Sequence, residues 1–348
     1  MARIVVIAPG RGSYNRTELG YLSRGDQAQR QALLRRADAL RTKAGRIPIS
    51  ELDGAKTYQP QLHLPGENAS SLIYTCAAAD YLQLTDKHDV VAVLGNSMGW
   101  YTTLFTSGCL GFDEAFSVVD TMGQAQQGQL IGGQVIYPVV NDDWTANEER
   151  QHQVNQVLDE INRQGPANWV GLSIRLGGFL VLAGTDSGVK QLLQHLPAVK
   201  LGANDYPFQL AKHAAFHTPL MADASRFGFS NLSHIQFQQP KVPMIDGRGA
   251  IWRPHQSDPE ALRQYTFHTQ VRETYDFTSA VRVAIREYNP DHLVLLGPGE
   301  TLGGSIAQVM IAEKWRGIAD RESFIAAQKT AAKPLIAMNR PDQAEILL

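Results

Sequence analysis

The stretch G-N-S-M-G, residues 95–99, places Ser97 between two glycines in the pattern G-x-S-x-G. It follows residues 89–94, a β-branched run that predicts a buried strand, and it precedes a segment that predicts a helix. A serine at such a sharp strand-to-helix turn stands above the sheet beside a helix N-terminus, where it can act as a nucleophile. The same geometry suits an ordinary tight turn, so the motif alone leaves both interpretations open.

A nucleophilic serine needs a base within hydrogen-bond reach, and two of the ten histidines lie close together in K-H-A-A-F-H-T-P-L-M. His213 and His217 are spaced i, i+4, which would also suit a metal on one helix face. A third ligand at suitable spacing is missing, and the Thr-Pro pair that follows breaks a helix, so we expect no metal site. His292 is predicted to begin a strand, which makes it a poorer candidate for the base of a conventional hydrolase triad.

Two other glycine-rich turns raise the question of a dinucleotide site. Residues 6–14 read V-I-A-P-G-R-G-S-Y, but Asn15 stands where a third glycine is needed. Residues 297–304, G-P-G-E-T-L-G-G, have the same weakness. Both stretches predict strand-to-helix turns and no nucleotide-binding fingerprint.

The composition of the chain excludes several classes of protein. The chain has 348 residues, of which 43% are hydrophobic, and a net charge of −2, which does not favour a nucleic-acid partner. Its two cysteines, Cys76 and Cys109, do not form a disulfide framework and suit a reducing, cytoplasmic setting. The N-terminal apolar run predicts a strand and no signal peptide, and no apolar stretch is long enough to predict a membrane span.

Strands and helices alternate along most of the chain, which predicts an α/β fold with a mainly parallel sheet. Residues 131–200 differ, because their β-α-β-β-α order predicts a small ferredoxin-like α+β subdomain. We therefore expect a large hydrolase-like domain, residues 1–130 and 201–348, into which this subdomain is inserted. Among its elements, a strand is predicted at residues 3–8, helices at residues 27–43 and at 112 to about 127, and the last strand at residues 292–297.

Several motifs in one order resemble the acyl-carrier-protein malonyltransferase family, the transacylases of fatty-acid and polyketide synthesis. The resemblance covers essentially the whole chain, and its most specific element is A-F-H-T-P-L-M around His217. The other matching stretches are P-G-R-G-S at 9–13, G-N-S-M-G-W at 95–100, Gln270 seven residues before Phe277-Thr278, G-P-G-E-T-L at 297–302 and A-M-N-R-P at 337–341.

This resemblance implies a two-step acyl transfer from acyl-CoA to an acyl carrier protein. Ser97 would attack the thioester while His217 takes its proton, and Gln270 would help to hold His217 in place. The backbone amides of Arg11 and Met98 would form the oxyanion hole. The resemblance implies no metal and no tightly bound cofactor, since acyl-CoA and the phosphopantetheine of the carrier protein are substrates.

The acyl group is in question because Met122 stands where malonyl-transferring members have an arginine that pairs with the malonyl carboxylate. A thioether cannot neutralise this charge, so we expect an acyl group without a terminal carboxylate, acetyl or longer. Phe216 predicts little room for branching beside the carbonyl. Arg11 or Arg175 could restore malonyl by supplying a charge from another direction. Further expected pocket residues that depart from the family pattern are Glu67, Asn96 and Trp100.

A run of basic residues offers a landing surface for the acidic carrier protein, although a solvated helix face is the simpler interpretation. Its members are Arg30, Arg35, Arg36, Arg41, Lys43 and Arg46. Two alternatives to a transacylase stay open from the sequence. An acyl-thioester hydrolase would share the scaffold and the first step, with water as the acceptor. A non-catalytic docking protein of a synthase assembly would use the basic helix and leave the pocket inactive.

Overall fold

The computed structural model describes residues 1–24 and 27–348. Its strands are β1 Arg3–Ala8, β2 Asp89–Gly95, β3 Gly133–Pro138, β4 Val170–Leu176, β5 Phe179–Gly184, β6 Val199–Leu201, β7 Asn204–Tyr206, β8 Phe208–Gln209, β9 Met244–Ile245, β10 Ile251–Trp252, β11 Tyr275–Asp276, β12 His292–Leu295 and β13 Leu335–Ala337. Its α-helices are α1 Gln27–Lys43, α2 Ile49–Asp53, α3 Pro60–His63, α4 Gly66–Leu82, α5 Gly99–Thr106, α6 Phe112–Gly123, α7 Glu148–Asn162, α8 Asp186–His195, α9 Ala222–Asn231, α10 Pro259–Gln264, α11 Gln270–Arg272, α12 Phe277–Tyr288, α13 Gly303–Ala312, α14 Arg321–Gln328 and α15 Pro341–Ala344.

The larger sheet has the order β10-β9-β2-β1-β12-β13, and only its β9–β10 edge is antiparallel. Strand β1 is the continuous run R-I-V-V-I-A, in which residues 4–8 are all buried. Such a run is expected of a central parallel strand that helices cover on both faces. The prediction of an α/β fold with a mainly parallel sheet is confirmed.

The second sheet has the order β11-β4-β5-β3-β8. Its β3, β4, β5 and β8 pair antiparallel in the β4-β5-β3-β8 order that a βαββαβ ferredoxin-like unit produces. A separate apolar core lies beneath this sheet and runs in sequence from Val135 to Tyr206. Strand β8 lies beyond residue 200 and β11 comes from the C-terminal part of the chain, so the sheet exceeds the insert that we predicted at 131–200. That domain division stays a prediction.

Two details of the predicted elements are wrong. Strand β12 is not the last strand of the large sheet, because β13 pairs parallel to it at the sheet edge. The three residues of β13 are too short a run to give a clear periodic signal. Helix α6 ends at Gly123, where we expected it to continue to about residue 127.

The topology positions the candidate site at the carboxyl ends of the central strands of the larger sheet. Strands β1 and β2 run parallel, and Ala8 at the end of β1 is the register partner of Gly95 at the end of β2. The turn that contains Arg11 and the turn that contains Ser97 therefore leave the sheet side by side. Among the helices of residues 1–24 and 27–348, none is long and apolar enough to cross a membrane.

Candidate active site

Ser97 occupies the sharp turn between β2 and α5, and its backbone is left-handed with φ of +53°. The two flanking glycines make this turn possible. A Cβ at Gly95 would lie 2.3 Å from the carbonyl carbon of Gly99, and a Cβ at Gly99 would lie 2.3 Å from the carbonyl oxygen of Ala8. A strained φ at a residue other than glycine is typical of a functional turn such as a nucleophile elbow.

Ser97 and His217 are brought together across 120 positions of sequence. The Ser97 hydroxyl donates to Nε2 of His217 at 2.7 Å. On the other side of the ring, Nδ1–H donates to the backbone carbonyl of Gln270 at 2.5 Å. That second bond fixes the neutral tautomer with its lone pair on Nε2, which is the form a general base requires.

Gln270 supports both members of this pair by different groups. Its backbone carbonyl orients His217, whereas its side-chain Nε2 donates to the carbonyl oxygen of Ser97 at 3.0 Å. Its Oε1 accepts a 2.8 Å hydrogen bond from the hydroxyl of Tyr101, a residue that the sequence analysis missed. The side chain of Gln270 thus braces the serine turn, and its backbone carbonyl orients His217.

The environment of His217 favours its neutral form. The side chain is buried, and this burial lowers the pKa of His217 to about 4, although the carbonyl of Gln270 acts in the opposite direction. The His217 backbone N–H donates to the carbonyl of Val271, and its ring centroid lies 5.3 Å from that of Tyr275. The imidazole is therefore held in place and uncharged at neutral pH.

The backbone amides of Arg11 and Met98 are the predicted donors of an oxyanion hole. Among the described residues, no protein group accepts a hydrogen bond from either N–H. Both residues line the same cavity as Ser97. Two unpaired backbone donors beside a candidate nucleophile are the arrangement that an oxyanion hole needs.

This cavity has a volume of about 760 Å³ and lies between the large sheet and the smaller one. Four of the expected pocket residues line it, namely Glu67, Asn96, Met122 and Phe216. The other two, Trp100 and Arg175, do not line it.

The expectation for Trp100 and Arg175 is corrected by their orientation. Trp100 is fully buried behind the serine turn, where its indole N–H donates to the hydroxyl of Thr266 at 3.1 Å. Arg175 lies on β4 between two cavity-lining residues, and successive strand residues face opposite sides of a sheet. Its side chain is half exposed, with Nε 3.8 Å from Oδ2 of Asp276.

Arg11 lines the cavity, and one nitrogen of its guanidinium, Nη2, is bonded to the wall, whereas its Nε is buried without a hydrogen-bond partner among the described residues. Nη2 donates to the carbonyls of Leu64 at 2.9 Å and of Lys212 at 2.6 Å. Burial lowers the pKa of Arg11 to about 10, which the charge of Glu67 partly offsets, so the group stays cationic at neutral pH. Arg11 thereby ties the turn after β1 to the segment that precedes His217.

Met122 is buried at the end of α6, and its sulfur packs against Gly228. The cavity beside it is mainly apolar on the side of the smaller sheet, where Gln134 of β3 is the polar exception, and this sheet contributes side chains that the sequence analysis missed. The alternating residues of G-L-S-I-R-L could have indicated one face of this wall. Its members are Ile136, Ile174, Leu176, Val181, Leu210 and the expected Phe216, with Leu130 and Phe208 at the exposed end.

His213 also lines the cavity and is uncharged. Burial, and then the charge of Arg11, lower the pKa of His213 to about 3. Residues 213–216 have no helical structure, so His213 and His217 do not share a helix face. Within the described part of the chain, no cluster of three or more metal-ligating side chains was found.

The basic run does not form one solvated face. Arg30 is buried in an ion pair with Asp80 at 2.5 Å, and Arg41 is buried with Nη1 2.7 Å from Asp120. Arg46 also pairs with Asp120. These arginines stabilise the packing of α1 against α4 and α6, so the expectation of a carrier-protein contact through Arg30 and Arg41 is wrong. The exposed members of the run on α1 are Arg35, Arg36 and Lys43.

Curated proteins with significant similarity to this chain are malonyl CoA-acyl carrier protein transacylases. The one from Haemophilus influenzae is 24% identical over 94% of this chain and 99% of its own length. The one from Bacillus subtilis is 24% identical over 68% of this chain and 70% of its own length. No protein-family model matches the chain.

Solved structures with the same fold cover the whole chain. The acyl-carrier-protein S-malonyltransferase from Burkholderia pseudomallei has a TM-score of 0.76 at 21% identity, over 99% of both chains. A malonyl-transacylase solved with its type II polyketide synthase acyl carrier protein has a TM-score of 0.72 at 19% identity, over 100% of this chain and 98% of that one. The resemblance predicted from the motifs is confirmed, since the homologues and structural neighbours are malonyl-CoA:acyl carrier protein transacylases.

Proposed function

We propose that this homologue of the malonyl-CoA:acyl carrier protein transacylases is itself an acyl-CoA:acyl carrier protein transacylase with an acyl-Ser97 intermediate. The observation that carries the proposal is the 2.7 Å hydrogen bond between Ser97 and His217. A non-catalytic docking protein would have no need of this pair, of the bound Nδ1 or of two unpaired amides beside them. The family of its homologues supports the same assignment.

In the first half-reaction Ser97 Oγ attacks the thioester carbonyl of an acyl-CoA, and His217 Nε2 takes the hydroxyl proton. The amides of Arg11 and Met98 stabilise the tetrahedral oxyanion. The carbon–sulfur bond then breaks, the acyl group stays on Ser97, and the CoA thiolate receives the proton from His217. The imidazolium formed in between is stabilised by the Gln270 carbonyl.

In the second half-reaction the phosphopantetheine thiol of a carrier protein attacks the acyl-serine. His217 takes the thiol proton and returns it to Ser97 Oγ as the ester bond breaks. The product is an acyl thioester of the carrier protein, and the free serine is regenerated. CoA leaves before the second substrate reacts, so the kinetic order is ping-pong. The reaction as written needs no tightly bound cofactor.

The donor proposed here carries no terminal carboxylate. Met122 offers a thioether, Arg175 faces away from the cavity, and Arg11 is bonded to two carbonyls and lies near Glu67. Lys212 lines the cavity but is exposed, and a hydrated ammonium adds little to the binding of a carboxylate. Burying a malonyl carboxylate without a partner would cost several kcal/mol.

For the carrier protein, the exposed Arg35, Arg36 and Lys43 remain the proposed contact on α1. Arg36 also pairs with Asp113 at 2.5 Å, which weakens its attraction for a partner. The free, buried Cys76 and Cys109 suit a reducing compartment, and we place the reaction in the cytoplasm.

The test is to mix the protein with acetyl-CoA, malonyl-CoA or longer acyl-CoAs and to follow its intact mass. We expect an acetyl adduct on Ser97, none in Ser97→Ala, and slow loading from malonyl-CoA. Addition of holo-carrier protein should discharge the adduct onto the carrier. Discharge at the same rate without the carrier would identify a thioester hydrolase, and the absence of an adduct from every acyl-CoA would leave only the docking role. Rapid loading from malonyl-CoA would contradict the assignment of the donor.

A further inference from the structure

A continuous row of apolar side chains crosses the smaller sheet. Phe208 on β8 is the register partner of Ile136 on β3, and Ile136 is the partner of Val181 on β5. Val181 is in turn the partner of Ile174 on β4. Directly paired residues on neighbouring strands point to the same face, and all four line the cavity. We call these four residues the apolar row.

The row runs from the exposed rim of the cavity toward the catalytic histidine. Phe208 is 40% exposed, whereas Val181 and Ile174 are buried. Ile174 is the register partner of Tyr275 on β11, and the ring of Tyr275 lies 5.3 Å from that of His217. Three inter-strand spacings of about 4.8 Å make the row roughly 14 Å long. This length far exceeds that of an acetyl or malonyl group.

Other parts of the cavity lining are polar and suit the pantetheine arm of CoA. That arm contains two amides, whose burial without hydrogen-bond partners costs free energy. The apolar row offers no side-chain donor or acceptor. Polar side chains line other parts of the cavity and can serve the amides: Asn15, Gln126, Gln127, Gln129, Lys212 and His213.

We infer that the apolar row binds the acyl chain of the donor, and that the enzyme prefers apolar acyl groups of medium to long chain length. This inference rests on the proposed acyl-Ser97 chemistry and deepens it. Met122, at the end of α6, also lines the cavity and carries no charge. Leu130, which is 42% exposed, also lines the cavity and, like Phe208, presents a large apolar side chain at its open end.

The experiment measures the rate of Ser97 acylation by a series of acyl-CoAs: acetyl, butyryl, hexanoyl, octanoyl and dodecanoyl. Every donor carries the same CoA, so the differences report the acyl group alone. Each methylene that leaves water completely for the row should raise kcat/KM by about fourfold, so even partial burial of the longer chain gives a measurable rise. We expect octanoyl-CoA to react at least about tenfold faster than acetyl-CoA.

Two variants connect this preference to the row. Phe208→Ser should lower the ratio of dodecanoyl to hexanoyl loading, and Val181→Phe should shift the preference to shorter chains. Ile325→Ser is the matched control, because Ile325 is exposed to a similar extent, 42%, and lies on α14 outside the cavity. Its chain-length profile should equal that of the unmodified protein.

The outcomes separate this inference from the proposed function. If acetyl-CoA acylates Ser97 as fast as octanoyl-CoA, the chain-length preference is wrong and the acyl-serine chemistry stands. If the profile is unchanged in both row variants, the row is not the acyl site. If Phe208→Ser slows transfer to the carrier protein equally for every acyl group, the row contacts the carrier protein instead. If no donor acylates Ser97, the proposed function fails and the inference fails with it.

Discussion

Acylation of Ser97 should persist at a pH at which an ordinary histidine is protonated. Burial lowers the pKa of His217 to about 4 from an ordinary 6.5, and only the neutral imidazole can take the serine proton. At pH 5.5 a base with a pKa of about 4 is almost wholly neutral, whereas one with a pKa of 6.5 is only about one-tenth neutral. The structure therefore predicts a rate at pH 5.5 about tenfold higher than an exposed histidine would give.

The assay is the release of free CoA in a single turnover, recorded as kcat/KM between pH 4 and pH 8 after a brief pH jump. This parameter reports the pKa of the free enzyme. Tryptophan fluorescence in the same mixtures shows whether the protein stays folded. The control is His213→Gln, because His213 lines the same cavity and also has a lowered pKa. An inflection near pH 6.5, or one that disappears in His213→Gln, would refute the role assigned to His217.

The same pKa shift predicts how stability depends on pH. Between pH 6.5 and pH 4 the unfolded chain protonates His217 and the folded protein does not, so stability falls as the pH falls through this window. At pH 4.5 the loss from His217 is about 2.5 kcal/mol relative to pH 7. Urea unfolding at pH 7 and at pH 4.5 measures this loss. In His217→Gln the free energy of unfolding should fall by about 2.5 kcal/mol less between the two pH values than it does in the unmodified protein. An unchanged pH dependence in the variant would show that His217 is accessible to protons in the folded state.

Three substitutions test the remaining parts of the site. Gln270→Ala removes the bond to the Ser97 carbonyl and leaves the Tyr101 hydroxyl without its acceptor. Steady-state kinetics should therefore show a kcat about tenfold lower, with KM little changed. An unaffected kcat would contradict the bracing role of Gln270. Met122→Arg should raise the rate of loading from malonyl-CoA over that from acetyl-CoA at least about tenfold by intact mass, with Met122→Leu as the control that leaves the ratio unchanged. Gly95→Ala places a Cβ 2.3 Å from Gly99 and should lower the free energy of unfolding by at least about 2 kcal/mol. Gly304→Ala is the control, because no atom lies within 4 Å of its added Cβ, and it should cause no such loss. Equal melting curves for the two variants would contradict the packing described for the serine turn.

The sequence predicted the elements whose signals are local. The bounds of β1 and α1 agree with the predicted ranges, because an unbroken apolar run and a long helical spacing each identify one element. The pairing of Ser97 with His217 came from motif resemblance, since no local signal connects positions 120 residues apart. The role of Gln270 was predicted only in outline, because sequence patterns describe side chains and the orienting group is a backbone carbonyl.

The burial of the arginines could not be predicted from charge patterning. A run of basic residues on a helix usually faces water, but Arg30 and Arg41 find buried carboxylates on other helices. Asp80 and Asp120 lie 50 and 79 positions from these arginines, beyond the reach of any periodicity. The apolar row likewise depends on the register of β8 against β3, which a two-residue strand does not encode in its own pattern.

The last turn of α6 directs a charged residue and an apolar residue to different neighbours. Asp120 faces α1, where it accepts from Arg41 and Arg46, and Met122 faces the cavity with its sulfur against Gly228. Asp120 is already paired with two guanidinium groups, so it would attract an arginine introduced at position 122 only weakly. Its charge would stay directed into the cavity, available to a donor carboxylate and poorly tolerated beside an alkyl chain. A gain of malonyl loading and a loss of octanoyl loading should therefore occur together in Met122→Arg, and a change in one without the other would show that the two acyl groups do not share this part of the cavity.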